Sequence, residues 1–217
     1  MKEKGGLTQK AYEHIKEKII KCELLPEVDI SEEDIIREIG ISRTPIREAL
    51  IRLEHEKLVN IFPRKGIFVS SITLNSINEI FQVREVIEPQ ILRLVCDILP
   101  QYWLEDIKKR LMVQPEEQEA LSYFVDIDKE FHSYIIEVFK NSYLIQLMNN
   151  IFEQNQRLRI LTYKKVVDRL NMSNKEHIEI IDALLEKNID KAESCIRKHI
   201  VNARNAALNL NLNHGII

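Results

Sequence analysis

Glycine and proline are scarce in this chain of 217 residues, with 5 of the first and 6 of the second. So few turn formers argue against a loop-rich protein and for long helices. Cysteine is rare too. Cys22, Cys96 and Cys195 are scattered, odd in number and in no C-x-x-C spacing, which speaks against a disulfide framework and for reduced thiols in a cytoplasm. No signal-peptide pattern is found, and no apolar run approaches the roughly 18 residues of a bilayer span, so no membrane segment is expected. A large charge of either sign is also missing. The formal charge is −3 and the pI about 6.1, which excludes a globally basic nucleic-acid binder. What is present is 45% apolar and 30% charged residues, enough core for two small domains or one large one.

The charge is unevenly placed. From Ser42 to Lys65 there are 6 basic residues against 3 acids. The stretch Gly40 to Val59 reads GISRTPIREALIRLEHEKLV. Ser42 can cap a helix, and Pro45 suits its first turn. Ile46, Leu50, Leu53 and Leu58 form one apolar face, with Ala49 beside them. Arg43, Thr44 and Arg47 lie near the N-terminal end, outside that face. A helix packed on one side and offering Arg, Thr and Arg at its start can enter a major groove. Ordinary surface charges on a surface helix are the plainer alternative.

The flanks favour the groove reading. Ser31 to Ile39 (SEEDIIREI) is a second short helix with a serine cap and acids in its first turn, and Gly40 breaks the two apart. Asn60 to Ser71 (NIFPRKGIFVSS) reads as a hairpin with a basic tip at Arg64 and Lys65 and with Gly66 for the turn. Helix, turn, helix and basic wing make a winged helix-turn-helix. Thr8 to Cys22 supplies a supporting helix, preceded by a charged arm from Met1 to Gly6.

These residues, ISRTPIREALIRLEHEKLV followed by PRKGIFV, resemble the GntR family of bacterial transcription regulators, and within it the FadR type. One departure is Pro26-Glu27, where that family usually has Pro-Gly before the second helix. The residues expected at DNA are Arg37, Arg43, Thr44, Arg47, Arg64, Lys65 and Gly66.

After Ser71 nothing reads as a strand. Helical periods run from Thr73 or Asn75 to Leu99, with Pro89 predicting a kink, then Trp103 to Met112, Glu117 to Lys140, Ser142 to Lys165, Ser173 to Lys187 and Asp190 to Leu212. The expected fold is mainly α: a winged helix-turn-helix over 1–72, then an all-α bundle of about six helices over 73–217.

The bundle has polar residues on apolar faces. Asp128 and His132 fall among Leu121, Val125, Ile135 and Phe139, spaced i and i+4 so that both can grip one ion. His177 leads the stripe Ile181 and Leu184, and His199 lies on the stripe Ala192, Ile196 and Ala203. A carboxylate in a core needs a partner, and four ligands on inner faces of one bundle suggest a metal. The plainer alternative is a set of hydrogen-bonded core histidines. Arg84 sits among Ile77, Phe81, Ile87 and Ile91. It is either paired with a core acid such as Asp128, or snorkelling, or a fork for a carboxylate. Asn155, between Ile151 and Leu158, can add a hydrogen bond. Cys195, one turn before His199, can approach the ion or simply pack.

The pattern Asp128-x3-His132, Glu176-His177, His199 is similar to the metal site of the FCD effector domain of FadR-type regulators. That resemblance implies a divalent transition metal (Zn, Ni or Mn) with open positions completed by water or an effector carboxylate, and it supports Arg84 facing the ligand cavity. The expectation is a cytoplasmic regulator and not an enzyme: a repressor acting as a homodimer on a palindromic duplex operator, controlled by a small organic acid at the metal site. Two alternatives stand beside it. One is a pure metal sensor; the other is a metal-dependent enzyme, against which no carboxylate is clearly placed as a general base.

Overall fold

The computed structural model describes residues 2–165 and 167–214. The chain divides into two compact units, one ending at Thr73 and the other beginning at Leu74.

The first unit holds α1 (Lys2–Ile20), α2 (Glu32–Ile39), α3 (Arg43–His55) and a hairpin of β1 (Val59–Phe62) and β2 (Gly66–Val69). Ala11, Ile15 and Ile19 of α1 face Ile46, Ala49, Leu50 and Leu53 of α3, and Leu58, Val59 and Val69 close the core. Each Val, Leu or Ile among them contributes about 1.5–3 kcal/mol when fully buried. Ser31 caps α2 by accepting from the Asp34 N–H at 3.2 Å, and Gly40 ends it in the left-handed conformation at φ 67°. Ser42 precedes α3 but makes no side-chain cap bond. A cap oxygen accepts from the second or third residue of its helix, and the third residue of α3 is Pro45, which has no N–H. The helix α1 starts at Lys2, so the charged arm expected before the supporting helix is part of that helix from there; Met1 lies outside the described residues. Gly5 and Gly6 lower helix propensity by about 1 kcal/mol each without forbidding the helix.

The hairpin pairs antiparallel from Val59 with Val69 to Phe62 with Gly66. Arg64 takes the left-handed position at its tip, with φ 64°. Gly66 stands at φ 124°, and a Cβ there would lie 3.0 Å from Asp29 Oδ1. The glycine is needed because the segment before α2 runs against the wing: the Ile30 N–H donates to Ile67 O at 2.7 Å and the Glu27 N–H to Val69 O at 2.9 Å. Glu27, at the position where the resemblance expects glycine, sits at φ 66°. That conformation costs an L-residue about 1–2 kcal/mol.

Scarce glycine shows again at the helix ends. Lys57, Lys140 and Lys187 hold left-handed positions just beyond α3, α6 and α8, where glycine is the common choice. Their positive charges near helix C-termini offset part of that strain.

Among the described residues the second unit is all-α, with six helices: α4 (Leu74–Val95), α5 (Gln101–Leu111), α6 (Glu117–Val138), α7 (Ser142–Lys165), α8 (Val167–Leu185) and α9 (Ile189–His214). The protein is therefore mainly helical, a winged helix-turn-helix followed by a helical bundle, as the periodicity predicts. The helix α4 continues through Pro89. Proline removes the donor for the carbonyl four residues back, and that carbonyl, Glu85 O, accepts from Arg197 Nη1 of α9 at 3.3 Å instead. One boundary differs in kind. Ser173 reads as the start of a helix, yet α8 is already formed at Val167 and Ser173 is buried within it, bonded to Tyr163. The helix α9 packs on α4 and α8, α6 on α7, and α5 on α6 and α8. Phe81, Leu92, Phe131, Ile135, Phe152, Ile180 and Ile196 fill the space between them. No helix among the described residues is long and apolar enough to cross a membrane.

Candidate functional site

In the bundle, the i, i+4 spacing of α6 brings Asp128 and His132 to one inner face; α8 adds His177 and α9 adds His199. One potential ligand atom from each of the four lies within 4.8 Å of the others, and all four residues are buried. His132 Nε2 is 3.1 Å from His177 Nε2, which is 3.3 Å from Asp128 Oδ1. A tetrahedral ion with bonds of about 2.0–2.1 Å to nitrogen holds its donors roughly 3.3 Å apart. These two spacings are close to that. Cys195, one turn before His199, is half-buried and not part of the group.

The surrounding residues set the protonation of the histidines. Glu88 Oε2 lies 2.6 Å from His132 Nδ1, and Glu176 Oε2 lies 2.8 Å from His199 Nδ1. Burial opposes ionisation of Glu88, but Arg84 and His132 outweigh it and bring the carboxyl down to about 2. Glu176 reaches about 2 in the same way, burial being outweighed by His199 and Arg169. Both carboxylates are thus acceptors, so each accepts from the Nδ1–H beside it, which turns Nε2 of His132 and of His199 toward the other ligand residues. Burial pushes His177 well below the usual histidine range, with His199 adding to the effect. Burial also brings His199 down to about 4, against the pull of Glu176. Asp128 is opposed by burial yet held below the usual carboxylate range, first by Arg159 and then by the three histidines.

Inside this ring, Oδ1 of Asp128 and Nε2 of His199 carry no hydrogen bond, while Oδ2 of Asp128 is paired with Arg159. A buried polar atom left without one costs about 1–3 kcal/mol. Neutral imidazole and carboxylate are the donor set of a divalent transition ion, and carboxylates behind metal-binding histidines are their usual orienting partners. The residues present fit such an ion.

Two expectations about partners change. Arg84 is fully buried, and its partner is Glu88, reached by Nε and by Nη2 at 3.3 Å, not Asp128. The partner of Asp128 is Arg159. Asn155, with its amide oxygen turned toward the two arginines, accepts from Arg84 Nη1 at 3.0 Å and from Arg159 Nη2 at 2.8 Å. Beside the cluster is a small cavity of about 20 Å³, open at one side and lined by Asp128, Asn155, Arg159, Arg169 and His199 among others. Arg84, expected to face such a cavity, stands behind Asn155 and does not line it. Glu88, Arg159 and Arg169 went unnamed in the sequence. For Glu88 a signal existed: it lies one turn from Arg84 on the same buried stripe.

In the first unit, Arg43, Thr44 and Arg47 are exposed along the start of α3, while Pro45, Ile46, Ala49 and Leu50 are buried beneath them. Arg37 is exposed on α2, and Arg64 and Lys65 are exposed at the hairpin tip; Gly66 opens β2. Acids of α2 face the three arginines. Arg47 donates to Glu32 at 2.6 and 3.1 Å, Arg43 donates to Glu33 at 3.2 Å, and Arg37 pairs with Asp34. Exposed pairs of this kind contribute about 0–1 kcal/mol, so a phosphate or a base edge can displace them.

Residues 7–69 match the model of bacterial regulatory proteins of the gntR family, and residues 79–202 match that of the FCD domain. The HTH-type transcriptional repressor RspR of Escherichia coli K12 is 23% identical over 196 residues, covering 89% of this chain and 86% of RspR. Among solved structures, a transcriptional regulator GntR from Rhodococcus sp. RHA1 superposes with a TM-score of 0.78 at 20% identity, covering 93% of this chain and 97% of that one. The Zn2+-bound FCD domain of TM0439 gives 0.54 at 22% identity, covering 66% of this chain and 99% of that domain. At these identities the structural likeness establishes the fold.

Proposed function

The chain belongs to the gntR family of bacterial regulatory proteins, with an FCD domain as its second unit, and from that premise we propose that it is a metal-dependent repressor answering to a small carboxylate. As a member it is a DNA-binding transcription regulator. The finer reading rests on the cluster of Asp128, His132, His177 and His199, in which Oδ1 of Asp128 and Nε2 of His199 are buried without a hydrogen bond. A divalent transition ion (Zn, Ni or Mn) held there would supply positive charge with positions open to a carboxylate ligand. The chain's own groups do the rest. Glu88 and Glu176 orient two of the imidazoles, and Asn155 and Arg159 line the cavity beside them. Arg84 acts on that cavity only through Asn155. The name of RspR supports repression, and the zinc in the TM0439 domain supports the ion.

The regulator works in the cytoplasm, without catalysis, as a homodimer on a palindromic operator, because two recognition helices on two half-sites match two-fold symmetry. Exposed apolar side chains on the bundle, Val86 and Leu94 of α4 and Tyr102 of α5, suit burial against a second copy.

Arg47→Ala is expected to weaken operator binding by about 1–3 kcal/mol through loss of a base contact. Lys65→Ala should weaken operator and random duplex alike, since a wing-tip lysine reaches phosphate. Affinities for both duplexes at one fixed salt decide the matter, and an unchanged operator affinity in Arg47→Ala removes α3 as the reading helix. For the second unit, calorimetry with a panel of mono-, di- and tricarboxylates should find an acid that binds zinc-loaded protein and fails on chelator-stripped protein. It should also bind with altered affinity when operator is present, because an effector acts only through its differential affinity for two states. If no acid in the panel binds, the ion itself is the signal.

A further inference from the structure

The buried charges of the bundle site pair off one against one. Arg84 is matched by Glu88, Arg169 by Glu176 through two bonds of 2.9 Å, and Arg159 by Asp128. Three histidines lie between them. A divalent ion entering this set therefore brings two positive charges with no counterpart, into surroundings where unpaired charge is costly.

The three arginines are not equally able to respond. Arg84 is fully enclosed and gripped by its glutamate through two nitrogens. Arg169 is gripped in the same manner. Arg159 is different. Its carboxylate partner is the same oxygen of Asp128, a ligand residue of the cluster, that faces His132 Nε2 at 3.8 Å, and like Arg169 it lines the cavity. Arg159 and an ion held by the histidines thus call on one carboxylate.

Resting on the metal-centre reading, we propose that Arg159 is an exchangeable counter-ion, which the metal displaces from Asp128 and which then offers its fork in the cavity to a dianionic carboxylate. The surplus of two charges sets the preference for a dianion. The guanidinium supplies the planar pair of donors that a carboxylate fits. Metal and anion then bind cooperatively, each completing the charge balance that the other upsets, and the coupling is reciprocal.

The test is zinc titration against a competing indicator dye for wild type, Arg159→Gln and Arg159→Lys, each alone and with succinate or acetate. Removing the competing cation should tighten zinc binding by about tenfold or more, since one charge pair no longer has to be broken. Arg159→Lys keeps a cation without the fork, is the milder change for folding, and should fall between the two. In wild type, succinate should strengthen zinc binding more than acetate, and Arg159→Gln should lose most of that gain. Weaker or unchanged zinc binding in both variants would make Arg159 a support for Asp128 as a ligand and overturn the exchange. So would equal effects of the dianion and the monoanion in wild type. If wild type takes up no zinc at all, the metal-centre reading fails, and the proposal with it.

Discussion

Protein prepared without chelator or nickel resin is expected to carry about one divalent transition ion per chain, and His177→Ala to carry almost none. Among the four ligand residues, His177 separates metal binding from folding best. His132 and His199 each brace a buried carboxylate through Nδ1, and Asp128 balances Arg159. Removing any of these disturbs a charge pair as well as the site. His177 Nδ1 has no hydrogen-bond partner, while its Nε2 lies against His132 and Asp128. Loss of a mere orienting partner already weakens metal sites by about 10–100-fold, so loss of a ligand should cost at least about 100-fold. An ion that binds only the folded chain stabilises it by about 2.7 kcal/mol at a hundred times its dissociation constant. Zinc should therefore raise the melting temperature of wild type by several degrees and leave His177→Ala unmoved. Elemental analysis and melting curves with and without zinc read both effects. A wild type that is empty as prepared, and that also refuses Zn, Ni and Mn at neutral pH, would return the four residues to ordinary core hydrogen bonding.

The helical repeats made the architecture legible. Two apolar faces, α1 and α3, define the first core, and the strands of the wing were marked by the basic turn between them. The ligand set was legible for a related reason: a titratable side chain on an apolar stripe is conspicuous, and Asp128, His132, His177 and His199 each break one. What the stripes hide is pairing between helices. Arg84 was conspicuous, but whether its partner came from α4 or α6 depends on how the helices are packed, and the nearer candidate in sequence, Glu88, proved to be the partner. Arg159 and Arg169 were inconspicuous because a long arginine beside an apolar stripe reads as a snorkelling surface residue. Local chemistry misled in a different way at two serines. Ser42 has the right residue type for a cap but faces a proline, and Ser173, the predicted start of the helical span, lies inside α8 against Tyr163.

Glu88→Ala is expected to destabilise the protein by about 3–5 kcal/mol, the usual consequence of leaving one member of a buried ion pair alone. Arg84 would keep only Asn155 and the edge of His132 as neighbours able to bond it, and neither carries a compensating charge. The same substitution should weaken zinc binding by about 10–100-fold, because His132 loses the acceptor that holds its proton on Nδ1 and its lone pair on Nε2. The two effects have different origins and can be separated. In the double variant Arg84→Met, Glu88→Leu the pair is replaced by apolar side chains of similar volume, a change that is often neutral or even stabilising. Stability should return close to that of wild type, whereas zinc affinity should stay low, since nothing restores an acceptor at His132. Urea unfolding of the metal-free variants gives the first quantity and zinc competition titration the second. If the double variant recovers both, Glu88 serves only to neutralise Arg84. If Glu88→Ala loses zinc affinity with no loss of stability, the buried pair contributes nothing to the fold and the carboxylate is there for the histidine alone.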